Sequence, residues 1–472
     1  MRAHEAGWAH AEGALAGALR GPGWLRVPDD PNALAPRLWS STATKSGGVL
    51  SIGGVAMPDL ASAHGTAAYV LDEADFRARA RRFREAFADY EVYYAGKAFL
   101  CTSVARWVAE EGLRLDVCSD GELAVALRAG IDPASIGYHG NNKPVAALRR
   151  AVEVGVGHLV VDAMVEIERL AAVAAELGRR VDVLVRVTSG VEAHTHEYIA
   201  TAHEDQKFGF SIASGEAFEA VRRVLASPHL RLLGLHSHIG SQIFDTAGFE
   251  VAARRVLRLH ARILAELGAE LPALNLGGGF GIAYTSQDDP ADPAQLATEI
   301  TKLVAEECHA LDIAVPALAI EPGRAIVGPA MCTLYSVGVV KPVELDGGAV
   351  RTYVSVDGGM SDNIRTALYD ADYSCTLASR HSAAAPVLSR VVGQHCEAGD
   401  IVVKDEFLPG DLGPGDLLAV PGTGAYCRSM ASNYNHALRP PVVAVRDGVA
   451  RVVVRRETVE DLLATDVGAI DG

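Results

Sequence analysis

Between about residue 90 and residue 325 the chain repeats one pattern eight times: a short β-branched or aromatic run, a loop, then an amphipathic stretch rich in Ala, Leu, Glu and Arg. The short runs are VYYAGK (92–97), LRLDVCS (113–119), SIGYHG (135–140), HLVVD (158–162), VDVLVRV (181–187), LLGLHSHIG (232–240), ALNLGGG (273–279) and LAIEPGR (318–324). Helical stretches such as 122–130 and 163–178 lie between them. Parallel strands need a crossover after each one, and eight strand–helix units are the number that closes a parallel sheet on itself. The expected fold is therefore α/β, a (β/α)8 TIM-like barrel.

At 472 residues the chain is too long for one compact core. After Gly328 the texture changes to short, β-rich runs separated by turn residues: 334–341, 350–357, 389–394, 416–422 and 449–457. These read as a C-terminal β-sandwich or open barrel. Near the other end, GVLSIGGVAM (48–57) has a Gly-Gly hairpin centre and precedes AAYVLD (67–72), so the N-terminal strands are expected to complete the C-terminal domain. The expected divisions are an arm at 1–47, joining strands at 48–75, the barrel at 76–328 and the β-domain at 329–472. The arm, rich in Ala, Gly and Pro, reads as a mobile segment or an interface strap, not as a signal peptide or membrane anchor.

A formal charge of -16 argues against a nucleic-acid footprint or an anionic membrane surface. It does not argue against a small anionic substrate, which needs only a few local arginines. The seven cysteines are widely spaced with no CxxC pair, so neither a zinc knuckle nor a disulfide framework is supported, and a reduced, cytoplasmic protein is expected. No apolar run is long enough to span a bilayer.

Barrels of this kind gather their chemistry at the C-terminal ends of the strands. Those ends carry Lys97, Asp116, His139 with Asn141, His238, Gly277, Gly278 and Gly279, and then Glu321, Pro322, Gly323 and Arg324. A lysine at a strand end is either a solvated rim charge or, if partly desolvated and aimed into a pocket, an amine able to form a Schiff base with a carbonyl cofactor. Three successive glycines let backbone amides approach a phosphate; without GxGxxG spacing or a following acid, a lone phosphate suits them better than a dinucleotide. His236 and His238 share a strand face, which could suggest metal ligation, but no third ligand follows at usable spacing and no metal is expected. The other readings are an imidazole lying flat on an aromatic ring with Ser241 donating to a phosphate, or a core histidine satisfied by backbone. Glu321 is either an ordinary strand-end ion pair or a carboxylate that keeps a pyridine nitrogen protonated, with Arg324 beside it able to grip a carboxylate. Beyond the barrel, 357–373, 392–400 and 422–441 are long polar, aromatic-rich connections, and Cys396 stands next to Glu397.

Taken in order, YYAGKAFL, LDVCSDGEL, HGNNK, KFGF, HSHIGSQI, GGGFGIAY, EPGR, MSDNIRTALYDADY, HCEAGD and GAYCRSMASNYN resemble the diaminopimelate decarboxylases, a family of fold-type III enzymes dependent on pyridoxal 5'-phosphate. The resemblance runs from about residue 48 to 460. It implies decarboxylation of meso-2,6-diaminopimelate to L-lysine and carbon dioxide. It also implies that Lys97 holds the cofactor, that His238 stacks on its ring, and that Glu321 pairs with the ring nitrogen. Asp116 would join the cofactor site. Ser241, Gly277, Gly278, Gly279, the backbone of 321–324 and Tyr426 would bind the phosphate. Arg324, Arg365 and Tyr369 would take the far carboxylate of the substrate, with Tyr426 also in the substrate site, and Glu397 the far ammonium. Cys396 would return the proton. Cys396 and Glu397 would serve the partner subunit's site, implying a homodimer with shared active sites. One departure is Ala398, where the family has serine; a lost hydroxyl weakens hydrogen bonding but leaves the ionic contacts.

Two alternatives share the scaffold. An ornithine- or arginine-type decarboxylase would not need both arginines and Glu397. A catalytically silent regulatory relative would have lost the lysine or the thiol.

Overall fold

The computed structural model describes residues 21–190, 207–345 and 348–468. It forms two compact units. The first runs from Arg77 to Ile282 and from Asp289 to Ile326. Its strands are β1 (Tyr90–Ala95), β2 (Arg114–Val117), β3 (Ile136–Tyr138), β4 (His158–Val161), β5 (Val181–Thr188), β6 (Leu230–Ser237), β7 (Ala273–Asn275) and β8 (Ala317–Ile320). Each pairs in parallel with the next, and Leu318 to Ile320 pair with Tyr90 to Val92, so β8 closes on β1. The expected barrel is present, and every one of its strands falls within or beside an expected run. A two-residue strand, Phe210–Ser211, adds to β5.

The strands are buried along most of their length, as parallel strands flanked by helices must be, so they read as continuous apolar runs. Local signals set the helix ends. The helix Asp120–Ala129 starts at Ser119, whose hydroxyl accepts from the Glu122 amide, and stops at Gly130 in the left-handed region. The helix Pro293–Ala310 has proline at its first turn and Asp292 as cap.

One irregularity matters for the site. Between Leu232 and Gly234 the register of β6 against β5 shifts by one residue. Gly234 is required there, because a Cβ would lie 1.7 Å from the carbonyl oxygen of Ala273. Beyond the bulge His236 pairs with Arg186 on one side and Asn275 on the other, which sets three polar residues in one row.

The second unit comprises residues up to Phe76, Ala283–Asp288 and Val327 onward. Its sheet runs in the order Ile401–Pro409, Pro386–Val392, Val350–Val356, Met331–Glu344, Ala68–Asp72, Val442–Arg446, Val449–Val454. Met331–Glu344 also pairs with Leu417–Pro421. Ala68–Asp72 is thus an N-terminal strand near the middle of a C-terminal sheet, as expected. The preceding hairpin differs from expectation. Val49–Ile52 and Val55–Ala56 turn through Gly53 and Gly54, both at positive φ, but form their own small sheet with Thr44–Ser46. Both edges of Ala68–Asp72 are already taken, so the hairpin joins by its side, through the Leu50 amide to the Ala378 carbonyl at 3.0 Å.

Residues 21–47 correct the picture of a loose arm. Leu38 and Trp39 are buried in a cluster with Leu50, Met57, Leu334 and Val443. The remainder of the expected arm lies outside the described residues. No helix among the described residues is long and apolar enough to cross a membrane.

Candidate active site

Lys97 stands in the turn Gly96–Ala98 that ends β1, an exposed residue between two buried ones. A Cβ on Gly96 would lie 2.7 Å from the Asp116 carbonyl, so the strand turns there only with glycine. The Lys97 charge acts on Asp116, Cys118, Glu122 and His238, which groups its amine with residues following β2 and β6. Lys97 is therefore at the barrel's mouth.

Glu321 follows β8 and is buried. Its Oε1 accepts from Nε2 of His236 at 2.9 Å and from Nδ2 of Asn275 at 2.8 Å, with Nε2 of His139 at 3.4 Å. Burial opposes its charge, but His139, His236 and the hydrogen bond outweigh burial and hold the carboxyl well below the usual range. Burial pushes the His139 imidazole well below its ordinary value, against the pull of Glu321. Asp116 is the opposite case. Burial, reinforced by Glu321, pushes its carboxyl well above the usual range despite Lys97, and His139 is 3.2 Å away. Two buried acids in one barrel are thus pushed in opposite directions, the pattern by which functional carboxyls are separated.

His139, His236 and Glu321 also present donor atoms within 4.8 Å of one another, a set that would suit a metal. The sequence offers His236 and His238 to a metal, with none expected; of that pair only His236 belongs to this set. His238 instead accepts at Nδ1 from the Gly278 amide at 3.2 Å, and burial first, then Lys97 and Arg186, keep it neutral.

The glycines are fixed by packing as well as by any ligand. A Cβ at Gly277 would lie 2.4 Å from the Ser237 carbonyl, at Gly278 2.3 Å from that of Glu321, and at Gly279 2.6 Å from that of Gly240. Loops after β6, β7 and β8 therefore meet backbone to backbone. Arg324, also buried, donates from Nη2 to Ser241 Oγ at 2.8 Å, so two residues expected in different roles touch.

Sequence reasoning missed four buried residues of this cluster. Arg186 interrupts the apolar run of β5; it lies 3.6 Å from Asp162 and 4.5 Å over the Phe208 ring. His158 opens β4, and its Nε2 and Asp116 Oδ1 would both crowd a Cβ on Gly137, at 2.9 and 2.7 Å. His236, weighed only as a metal ligand, and Asn275 hold Glu321. A charged or amide residue inside an otherwise apolar strand was the available signal.

The second unit holds the other expected residues. Arg365 is buried, and Tyr369 is half-buried. Tyr426 has φ of +63°, left-handed backbone that a bulky residue adopts only under constraint. Cys396, Glu397 and Ala398 are exposed at the tip of one turn. That turn is braced beneath: Asp400 accepts from the Met360 and His395 amides at 2.6 and 2.8 Å, and the His395 ring bridges Ser361 at 2.8 Å and Asn435 at 3.0 Å.

Residues 73–328 match the family described as pyridoxal-dependent decarboxylase, pyridoxal binding domain. Over 440 residues the chain is 57% identical to the diaminopimelate decarboxylase of Mycobacterium tuberculosis, covering 92% of this chain and 98% of the relative. The chain belongs to the diaminopimelate decarboxylase family. The Mycobacterium leprae diaminopimelate decarboxylase is 55% identical over 99% of this chain and all of its own length. Among solved structures, diaminopimelate decarboxylase from M. jannaschii superposes with a TM-score of 0.85 at 30% identity, over 91% of this chain and 99% of that one. As a diaminopimelate decarboxylase the chain is a carboxy-lyase, and its cofactor is pyridoxal phosphate.

The donor set fits that cofactor. It needs an amine for its carbonyl, an ionised acid for its ring nitrogen and amides for its phosphate. Lys97 supplies a primary amine at the barrel mouth, the histidines around Glu321 hold its carboxyl well below the usual range, and the Gly277–Gly279 backbone adjoins both His238 and the Glu321 carbonyl. When bound, the cofactor draws electrons away from the carbon that loses carbon dioxide.

Proposed function

We propose that the barrel cluster and the 365, 396 and 426 segments share the work of converting meso-2,6-diaminopimelate to L-lysine and carbon dioxide, the last step of lysine biosynthesis. Lys97 would hold the cofactor through its primary amine until substrate binds. Glu321 would pair with the ring nitrogen and favour its protonated form, and His238, whose imidazole burial holds well below its ordinary value, would stack on the ring. Ser241, Gly277, Gly278, Gly279, the backbone of 321–324 and Tyr426 take the phosphate, and Asp116 completes the cofactor site. Arg324, Arg365 and Tyr369 take the far carboxylate and Glu397 the far ammonium, with Tyr426 beside the substrate; opposite charges select a zwitterionic far end. Cys396 delivers the proton that replaces carbon dioxide. The observation that carries the assignment is the buried Glu321 carboxyl, hydrogen-bonded by His236 and Asn275, in the same barrel mouth as Lys97.

Cys396 and Glu397, exposed on a braced tip, support the further reading that each subunit completes its partner's site in a homodimer. The protein works in the cytoplasm, a reading supported by its seven free cysteines.

Purified protein with pyridoxal phosphate is assayed for lysine and carbon dioxide from meso-diaminopimelate, with ornithine and arginine as controls. Lysine formation from the first substrate alone is expected; comparable turnover of ornithine overturns the substrate assignment. Borohydride reduction followed by mass analysis should place the cofactor on Lys97 and find none on Lys97→Ala. Mixing Lys97→Ala with Cys396→Ala subunits should restore about a quarter of wild-type activity, since half the dimers are mixed and each has one intact site. No recovery overturns the shared site.

A further inference from the structure

Asn275 occupies a position that neither the residue roles above nor the family resemblance assigns. It ends β7, is buried, and lies in the row Arg186–His236–Asn275 fixed by the β6 bulge. Its carboxamide has two partners. Nδ2 donates to Glu321 Oε1 at 2.8 Å, and Oδ1 accepts from the Gly277 amide at 2.8 Å. The orientation of the amide is fixed chemically, because a backbone N–H can only donate and so must face the oxygen. The nitrogen is then left for the carboxylate, which can only accept.

We propose that Asn275 is a positioning residue that sets the distance between the ring-nitrogen partner, Glu321, and the first glycine of the phosphate cradle, Gly277. One rigid side chain on a barrel strand thereby ties both ends of the cofactor's footprint to each other. His236 holds the Glu321 carboxylate from β6, and the packing of Gly278 on the Glu321 carbonyl fixes backbone and not the carboxylate. The proposal rests on the roles proposed for Glu321 and Gly277.

The two halves of the carboxamide can be separated. Asn275→Asp keeps an acceptor for the Gly277 amide but replaces the donor to Glu321 with a second carboxylate, which forces the two acids to share a proton. Asn275→Ala removes both contacts. Three readouts that do not need turnover are the dissociation constant of pyridoxal phosphate from the apoprotein, the visible absorption band of the bound cofactor, and its 31P resonance. For Asn275→Asp the band should shift and the affinity fall about tenfold, the size expected for losing one hydrogen bond to a charged group, while the 31P resonance stays in place. For Asn275→Ala the 31P resonance should move as well. An Asn275→Asp protein with wild-type band and affinity overturns the proposal, as does an Asn275→Ala resonance no different from that of Asn275→Asp. A crystal structure of the wild-type holoenzyme decides the matter even if both variants fail to fold: a carboxamide bridging Glu321 and the Gly277 amide supports the role, and one turned from either refutes it. Glu321→Gln in parallel separates the layers. If it leaves the band unmoved, the ring-nitrogen assignment itself is wrong; if it shifts the band and Asn275→Asp does not, only the role of Asn275 falls.

Discussion

Nη1 of Arg365 donates to the hydroxyl of Tyr373 over 2.5 Å, and the same guanidinium lies 4.7 Å over the ring of Tyr284. A buried arginine clamped between two tyrosines is held by partners that bring no negative charge. Its charge therefore remains available to an anion. If that anion is the far carboxylate of the substrate, Tyr373→Phe should raise the KM for diaminopimelate about tenfold and leave kcat within a factor of about two. Steady-state kinetics on the two proteins check this; an unchanged KM separates Tyr373 from substrate binding.

Cys396 and Glu397 should part in their effects. Cys396→Ala is expected to lower kcat by at least about a hundredfold while the cofactor stays bound, since a proton donor acts after binding. Glu397→Gln is expected to raise KM with the smaller change in kcat. Absorbance of bound cofactor together with kinetics tells the two apart, and Cys396→Ala with near-normal turnover removes the thiol from the reaction.

Asp362 predicts a pH effect away from the barrel. Burial pushes its carboxyl up to about 7, although the Tyr335 hydroxyl and the Gly359 amide donate to it. An acid raised in the fold stabilises while protonated, and that contribution is lost as pH rises through its folded value. Tyr335→Phe removes a donor to the charged form and raises the carboxyl further. The variant should lose about 2 kcal/mol at pH 8 and less than half of that at pH 5. Denaturant unfolding at the two pH values measures it; an equal loss at both contradicts the assignment.

His158 gives the opposite sign. Burial holds its imidazole down to about 4, so the fold keeps it neutral while the unfolded chain binds a proton near the ordinary value of 6.5. Its contribution is whole above 6.5 and drains away as pH falls toward 4. Between pH 7 and pH 4, His158→Gln should therefore lose about 3 kcal/mol less unfolding free energy than wild type. Parallel curves for the two proteins would exclude His158 as a source of acid sensitivity.

The barrel was legible because its strands are buried on both faces and contrast with amphipathic helices; VDVLVRV and the segment around Leu235 are visible by composition alone. The β-unit was less so. Ile401–Pro409 was passed over, since Lys404, Asp405 and Glu406 break its apolar pattern, and those charges are met by Asp372, Arg351 and Ser374, of which only Arg351 lies in the sheet. Lys97 and Glu321 stand at strand ends, where position implies chemistry. Asn275 and Arg186 carry no motif of their own, because what they do depends on neighbours across the barrel that sequence spacing does not bring together.

The one-residue shift in β6 decides whether a histidine meets Glu321 at all. Before it, Arg231 stands opposite Asp182; after it, His236 stands opposite Arg186, so the side of the strand that shares Arg231's face passes from odd to even numbers. A strand that kept Leu233 in regular alternation, with no bulge, would have the same sequence and yet turn this segment by half a turn, offering Leu235 and Ser237 where the imidazole belongs. The parity of one strand, and not the presence of any residue in it, is what turns an imidazole toward Glu321.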